Sequence, residues 1–256
     1  MLNLIKSNNR FNQIKTFTFV VASKHWNSII EDTFLKCKSL DINFLWIKHL
    51  GSFDGTTTFN VSSQSRDLMI LECYSNDNYI EKFLYKSLSF LNLSTWYFLI
   101  ASDEFISTES ISKLNELIPN LDEKYVYRCN RLWVKLDNKD FFYSTLSTGL
   151  GSSKDYQYRL FNLKYLKSDE RIHTPGFYVK RYKNLEDDIN ILHLPWVIES
   201  TTERIKKIRR YEDILKGAGV GKLRYYLPEI FSDIDHNWQK LPLDSNGELI
   251  KLFSDK

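Results

Sequence analysis

Two carboxylates stand side by side in TWYFLIASDEFIST, where the apolar run from Trp96 to Ile100 gives way to Asp103 and Glu104 before Phe105 and Ile106 resume. Charges enclosed by apolar residues in this way do not belong to a solvated surface run. In open parallel sheets, ligands bind beyond the carboxyl ends of the strands. A carboxylate placed there can hold Mg2+ or Mn2+ against a diphosphate. The same pair can equally be a polar strand end that helps to cap the following helix. Neighbouring side chains point apart, so one would face a ligand and the other a structural partner. A second loop, HLGSFDGTTTF, runs G-S-x-D-G-T from Gly51 to Thr56 and contains Ser52, Asp54 and Gly55. Alone it is an ordinary Asp-Gly turn.

Other chemistries find no support. No G-x-G-x-x-G follows the first strand-like run, because FVVASKHWNS contains no glycine. A dinucleotide-binding fold of the usual kind is thereby set aside. In LKGAGVGKL, Lys216 stands where a phosphate loop needs its first glycine, and Leu223 where it needs Ser or Thr. That stretch reads as a flexible turn between two helices. The histidines at 25, 49, 173, 193 and 236 form no H-E-x-x-H pattern, and the glycines near Ser147 are at the wrong offsets for a nucleophile elbow. Cys37, Cys73 and Cys129 have neither C-x-x-C nor zinc spacing and read as buried small hydrophobes of a reducing compartment.

The candidate loops need elements to position them. TFTFVVAS (16–23), INFLWIKHL (42–50), DLMILECY (67–74) and TWYFLIA (95–101) read as strands. Between them, Trp26, Ile29, Ile30, Thr33, Phe34 and Cys37 follow helical spacing, as do Ile80, Phe83, Leu84, Ser87, Leu88 and Leu91 behind the caps offered by 76–78. Ser107 or Thr108 caps a helix with Ile111, Leu114, Leu117 and Ile118, ended by Pro119. This alternation predicts a parallel, doubly covered sheet in the first 120 residues, with both candidate loops opening on one edge. Beyond it, KYVYRCNRLWVKL, DFFYSTL, QYRLFNLKYL, GFYVKRY and INILHLPWV read as strands with no helices between them, hence antiparallel or mixed additions. Ser200 to Glu203 forms an S-x-x-E capping box, and Gly217 stops the helix it opens. That helix carries Arg204, Lys206, Lys207, Arg209 and Arg210, read as its solvated face; docking of a diphosphate, an acidic glycan or an anionic lipid is the functional alternative.

With 43% hydrophobic residues the 256-residue chain can bury a large core, and a formal charge of +3 permits an anionic ligand without calling for nucleic acid. The N-terminus lacks a signal-peptide core, and no window holds the roughly 20 apolar residues that span a bilayer. A cytoplasmic location follows as an expectation.

Together the pieces resemble a GT-A glycosyltransferase of the large family 2 type, over residues 16 to 215. Members carry a D-x-G-S-x-D-G-T-like loop after the second strand and a D-x-D motif at the end of the fourth, written D-A-D-E-F in one subgroup. The matching residues are Gly51, Ser52, Asp54, Gly55 and Thr56, then Asp103, Glu104 and Phe105. YRLFNLKYLKSDERIHTPGF resembles that subgroup's Arg-Leu-Phe segment leading to a His in the acceptor region. INILHLPWVIESTTERIKKIRRYE resembles its closing strand with a His, followed by a Lys-rich helix ending in Tyr.

The resemblance implies an α/β GT-A fold, with a Rossmann-like, mostly parallel central sheet and mixed additions in the C-terminal half. It implies a single domain over 1–256, with a nucleotide-binding half at 16–120, an acceptor-side half at 121–215 and a helical extension at 216–256. Asp103 corresponds to the last Asp of D-x-D, which binds a divalent metal, manganese or magnesium, on the donor diphosphate. His193 corresponds to a later metal or diphosphate contact. Asp54, with Ser52, Gly55, Ala22 and Ser23, is implied on the nucleotide, and Glu104 and His173 near the transferred sugar and acceptor. The implied reaction is sugar transfer, with inversion, from a nucleotide-diphosphate donor to a glycan or lipid-linked acceptor. An aromatic patch in the C-terminal half would suit a second copy of the chain. Ala101 stands where the first Asp of D-x-D belongs, His49 and Leu50 replace an acidic pair, and Thr174 follows His173 where Glu is common. These departures motivate the alternative, a catalytically silent binding domain on the same scaffold.

Overall fold

The computed structural model of the chain describes residues 17–51, 58–75, 81–91, 96–144, 154–168, 177–186, 188–214, 216–227, 230 and 237–254. In chain order its elements begin with β1 (Phe17–Ser23), α1 (Ser28–Ser39), β2 (Asn43–Leu50), β3 (Thr58–Gln64), β4 (Leu68–Tyr74), α2 (Glu81–Leu91), β5 (Trp96–Ile100), β6 (Glu104–Phe105) and α3 (Thr108–Leu117). They continue with β7 (Val126–Asp137), β8 (Asp140–Ser144), β9 (Tyr156–Asn162), β10 (Lys167–Ser168), β11 (Phe177–Tyr178), β12 (Tyr182–Asn184) and β13 (Asn190–His193). Last come α4 (Pro195–Ile198), α5 (Thr201–Ile214), α6 (Ala218–Tyr226), β14 (Gln239–Lys240) and α7 (Leu243–Ser254). The class is α/β with a mixed sheet. No helix among the described residues is long and apolar enough to cross a membrane.

The chain forms two compact units, and neither is continuous in sequence. One runs to Ser102 and takes in Thr108–Cys129 and Tyr158–Ile189; the other holds Asp103–Ser107, Asn130–Gln157 and the chain from Asn190 onward.

In the first unit, strands with no polar face take the middle of the sheet. β1 and β5 are buried almost throughout and pair in parallel, β2 pairs in parallel with β1, and β4 in parallel with β2. Continuous apolar runs of this kind are what a sheet covered on both sides requires. The carboxyl ends of these four strands open on one edge, as the alternation of the sequence predicts. Asn27 starts α1: its side chain accepts from Ile30 N at 2.9 Å, and its Nδ2 donates to Ser102 O at 2.9 Å, tying the loop after β1 to the residue after which the chain leaves the unit. The core joins Val20, Leu45, Leu71 and Leu99 to Leu84 and Leu88 of α2. Cys37, Cys73 and Cys129 are all buried, as expected, none of them in a disulfide, and burial pushes Cys73 up to about 11.

Two departures from the expected elements have simple causes. β3 is a strand the sequence did not announce: it lies antiparallel outside β4, is mostly exposed, and carries a register shift between Val61 and Ser63. An edge strand buries little, so TFNVSSQ needs no apolar signature. GFYVKRY, expected as one strand, divides into β11, paired with β10, and β12, paired with β7.

In the second unit, β7 pairs antiparallel with β8 and parallel with β13, while β6 runs antiparallel to β13. β14 extends β8. α7 is anchored by Asn246, whose Oδ1 accepts from Phe141 N at 2.9 Å and whose Nδ2 donates to Asp140. The capping box before α5 forms as predicted: Ser200 N and Oγ donate to Glu203, and Glu203 N donates back to Ser200 Oγ. LKGAGVGKL, expected as a flexible turn, is mostly the first turns of α6. Gly217 makes the turn with φ of 87°, and the Glu212 carboxylate accepts from the backbone N–H groups of Gly217, Gly219 and Val220. In a phosphate loop such groups face an anion; here an internal carboxylate takes them.

Candidate functional site

Asp103 and Glu104 part company at the start of the second unit, one toward charged groups and the other into the interior. The two-residue strand β6 is responsible. Its pairing with β13 sets Glu104 opposite His193 and Phe105 opposite Leu192, and Leu194 N donates to Asp103 O at 2.9 Å. The backbone thus delivers His193 to Asp103 from far along the chain.

Around Asp103 the side chains form a short charged chain. His193 Nε2 lies 3.5 Å from Asp103 Oδ2, and Lys207 Nζ lies 2.9 Å from the same oxygen. Lys207 also pairs with Glu199 Oε1, so one ammonium bridges two carboxylates. The Asp103 side chain is 15% exposed and that of Glu199 14%, whereas Lys207 keeps 35%. Burial alone would raise Asp103, but Lys207 and His193 outweigh it and hold its carboxyl well below the usual range. Burial raises Glu199 against the opposing pull of Lys207. Burial and Arg131 lower His193, so its imidazole is neutral near neutral pH. With Nε2 donating toward Asp103, Nδ1 is a lone-pair atom, buried and without a hydrogen-bond partner among the described residues. Trp133 packs against the imidazole edge-on, with ring centroids 4.2 Å apart. Tyr226 closes another side, its ring 5.7 Å from Lys207 Nζ, and burial with Tyr211 pushes its phenol well above the usual value.

Glu104 belongs to a second network. Its side chain is 0% exposed and lies 3.6 Å from Arg131 Nη1, while Arg131 Nε donates to Asp155 Oδ2 at 2.8 Å. Asp155 also accepts from Trp133 Nε1 and Gln157. Burial would raise Asp155, but Arg131 holds it below the ordinary carboxylate range. Glu104, expected near a transferred sugar, is an interior partner of Arg131.

The remaining expected residues divide simply. Ala22 and Ser23 end β1 in the first unit, and Ser23 Oγ accepts from Trp46 Nε1 and donates to His25 O. Ser52, Asp54, Gly55 and His173 lie outside the described residues.

Glu199, Arg131 and Asp155 are not among the residues the sequence singles out, and Lys207 is singled out only as one of the basic residues of α5. The basic helix was read as a solvated face, which holds for Lys206, Arg209 and Arg210 but not for Arg204, which is buried, or Lys207. A signal existed: Arg204, Lys207, Ile208 and Tyr211 fall at i, i+3, i+4 and i+7, one stripe of α5.

A divalent metal does not fit these residues as they stand. Asp103 and His193 are the two expected ligands, yet the facing carboxylate oxygen already accepts from an ammonium, and the imidazole presents a proton to it. Among the described residues no cluster of three or more His, Cys, Asp or Glu side chains is arranged to hold a metal. No family model and no curated protein matches the chain.

Proposed function

We propose that the protein is a glycosyltransferase that moves a sugar from a nucleotide-diphosphate donor to a glycan or lipid-linked acceptor, on a scaffold of the GT-A kind. The supporting observation is the meeting of Asp103 and His193 at 3.5 Å. The resemblance to family 2 enzymes singled out these two residues, from separate motifs, as contacts on the diphosphate side. In the reaction, an acceptor hydroxyl oxygen bonds to the anomeric carbon, and the bond from that carbon to the diphosphate breaks with its electrons remaining on the diphosphate. The hydroxyl proton passes to a base. Positive charge beside the departing diphosphate stabilises the transition state. Manganese or magnesium, the cofactor the resemblance implies, enters no step here because the donor set does not fit it.

The test is a thermal-shift series with UDP, GDP, CDP and dTDP on the wild type and on Asp103→Ala. A ligand that binds the native state raises the melting temperature, and at a given concentration a tighter ligand raises it more. Stabilisation by one nucleotide, reduced in the variant, is the expected result; no stabilisation by any of the four would sink the reading. A second reading, a catalytically silent binding domain, draws on Ala101 and on the engagement of Asp103 by Lys207. Nucleotide binding without transfer or hydrolysis over a panel of donors and acceptors would favour it.

A further inference from the structure

We propose that the ammonium group of Lys207 is the resident cation of the Asp103 site, held between the carboxylates of Asp103 and Glu199 in the seat a divalent metal would otherwise take, so that an anionic ligand binds there without metal. The identity of that anion, a nucleoside diphosphate, rests on the function proposed above; the cation seat does not.

Two carboxylates converge on one point, Lys207 Nζ, which lies 2.9 Å from Asp103 Oδ2 and also pairs with Glu199 Oε1. Carboxylates brought so close repel unless a cation stands between them. A metal would need lone pairs from the groups around it. His193 instead turns an N–H toward Asp103 Oδ2, while its lone pair at Nδ1 lies on the opposite side of the ring. With a carboxylate on each side of it, the amine sits where its charged form is the one both partners attract. An ammonium has three N–H donors. Two face Asp103 and Glu199, and the third is left for a ligand oxygen. Lys207 is also more exposed than either carboxylate, so an approaching anion meets the cation first. The neighbouring Tyr226 ring adds an uncharged wall. Unlike a bound metal, this cation is covalently fixed and cannot exchange.

The decisive experiment is Mn2+ binding by calorimetry and electron paramagnetic resonance on the full chain without nucleotide. Wild type, Lys207→Met, Asp103→Asn and the double variant Asp103→Asn/Lys207→Met are compared. Wild type is expected to bind Mn2+ no more tightly than Asp103→Asn does. Lys207→Met is expected to gain at least about ten-fold in Mn2+ affinity, and the double variant to lose that gain, a difference of about 1.4 kcal/mol. Tight Mn2+ binding by wild type, weakened by Asp103→Asn, overturns the proposal, as does a folded Lys207→Met that gains nothing. Should Lys207→Met not fold, the comparison of wild type with Asp103→Asn still decides. A parallel arm repeats the nucleotide series in EDTA and in Mn2+. Stabilisation that persists in EDTA is expected, and stabilisation only with Mn2+ overturns the resident-cation role. If no nucleotide stabilises the protein in either buffer, the donor reading falls while the Mn2+ comparison still judges the seat.

Discussion

Lys207 Nζ lies 2.9 Å from Asp103 Oδ2, although the two residues are 104 positions apart in the chain. A helix read as solvated therefore supplies the counter-charge to the carboxylate that the sequence marks most clearly. Removing one partner of a buried ion pair costs about 3–5 kcal/mol because the other is left uncompensated; the partial exposure of Lys207 brings the expected loss for Lys207→Met to about 2 kcal/mol. In urea titrations the double variant Asp103→Asn/Lys207→Met should recover at least about 1 kcal/mol of the sum of the single losses. Simple additivity of the two would show that the pair is not coupled.

His193 predicts a specific acid sensitivity. Its folded pKa lies below its ordinary value, so the neutral imidazole is favoured by folding. The stability this contributes is present above about pH 6.5 and is lost as pH falls toward and through the lowered folded value. Asp103 is depressed too, so its contribution is lost only at more acid pH, beginning below about 3.9. His193→Gln should flatten the stability curve between about pH 6.5 and 4, leaving the steeper fall below it. Parallel curves for the two proteins over that interval would refute the assignment.

The interior network makes an asymmetric prediction. Arg131→Met leaves Glu104, which is 0% exposed, and Asp155 without their cation, and should cost about 3–5 kcal/mol. Glu104→Gln keeps the Arg131–Asp155 pair and should cost about 1–2 kcal/mol. Chemical denaturation of both variants reads the order, and a larger loss for Glu104→Gln would reverse the account.

Two glycines two residues apart should respond in opposite directions. A Cβ at Gly219 would lie 2.5 Å from Ile208 O and 2.8 Å from Glu212 Cβ, so Gly219→Ala must push α5 and α6 apart, at about 1–3 kcal/mol. At Gly221 a Cβ meets nothing within 4 Å, and helix propensity makes Gly221→Ala stabilising by about 0.5–1 kcal/mol. Melting temperatures of the two variants check both signs.

Periodicity and composition alone determined the parallel strands β1, β2, β4 and β5, the helices that follow β1, β4 and β6, the capping box at Ser200 and the burial of the three cysteines. These are local properties: an apolar run has to be covered wherever it falls, and Ser200 and Glu203 find each other within one helical turn. Asp103 was legible for the same reason, as a charge breaking an apolar run. Which way Asp103 and Glu104 turn was not legible, because β6 takes its register from β13, a strand far along the chain. Nor was the bridging of Asp103 and Glu199 by Lys207, since ion pairing across such separations depends on where the backbone carries each residue. The sequence thus named the carboxylate, and only the tertiary structure supplied its cation, because electrostatic partners are chosen by distance in space.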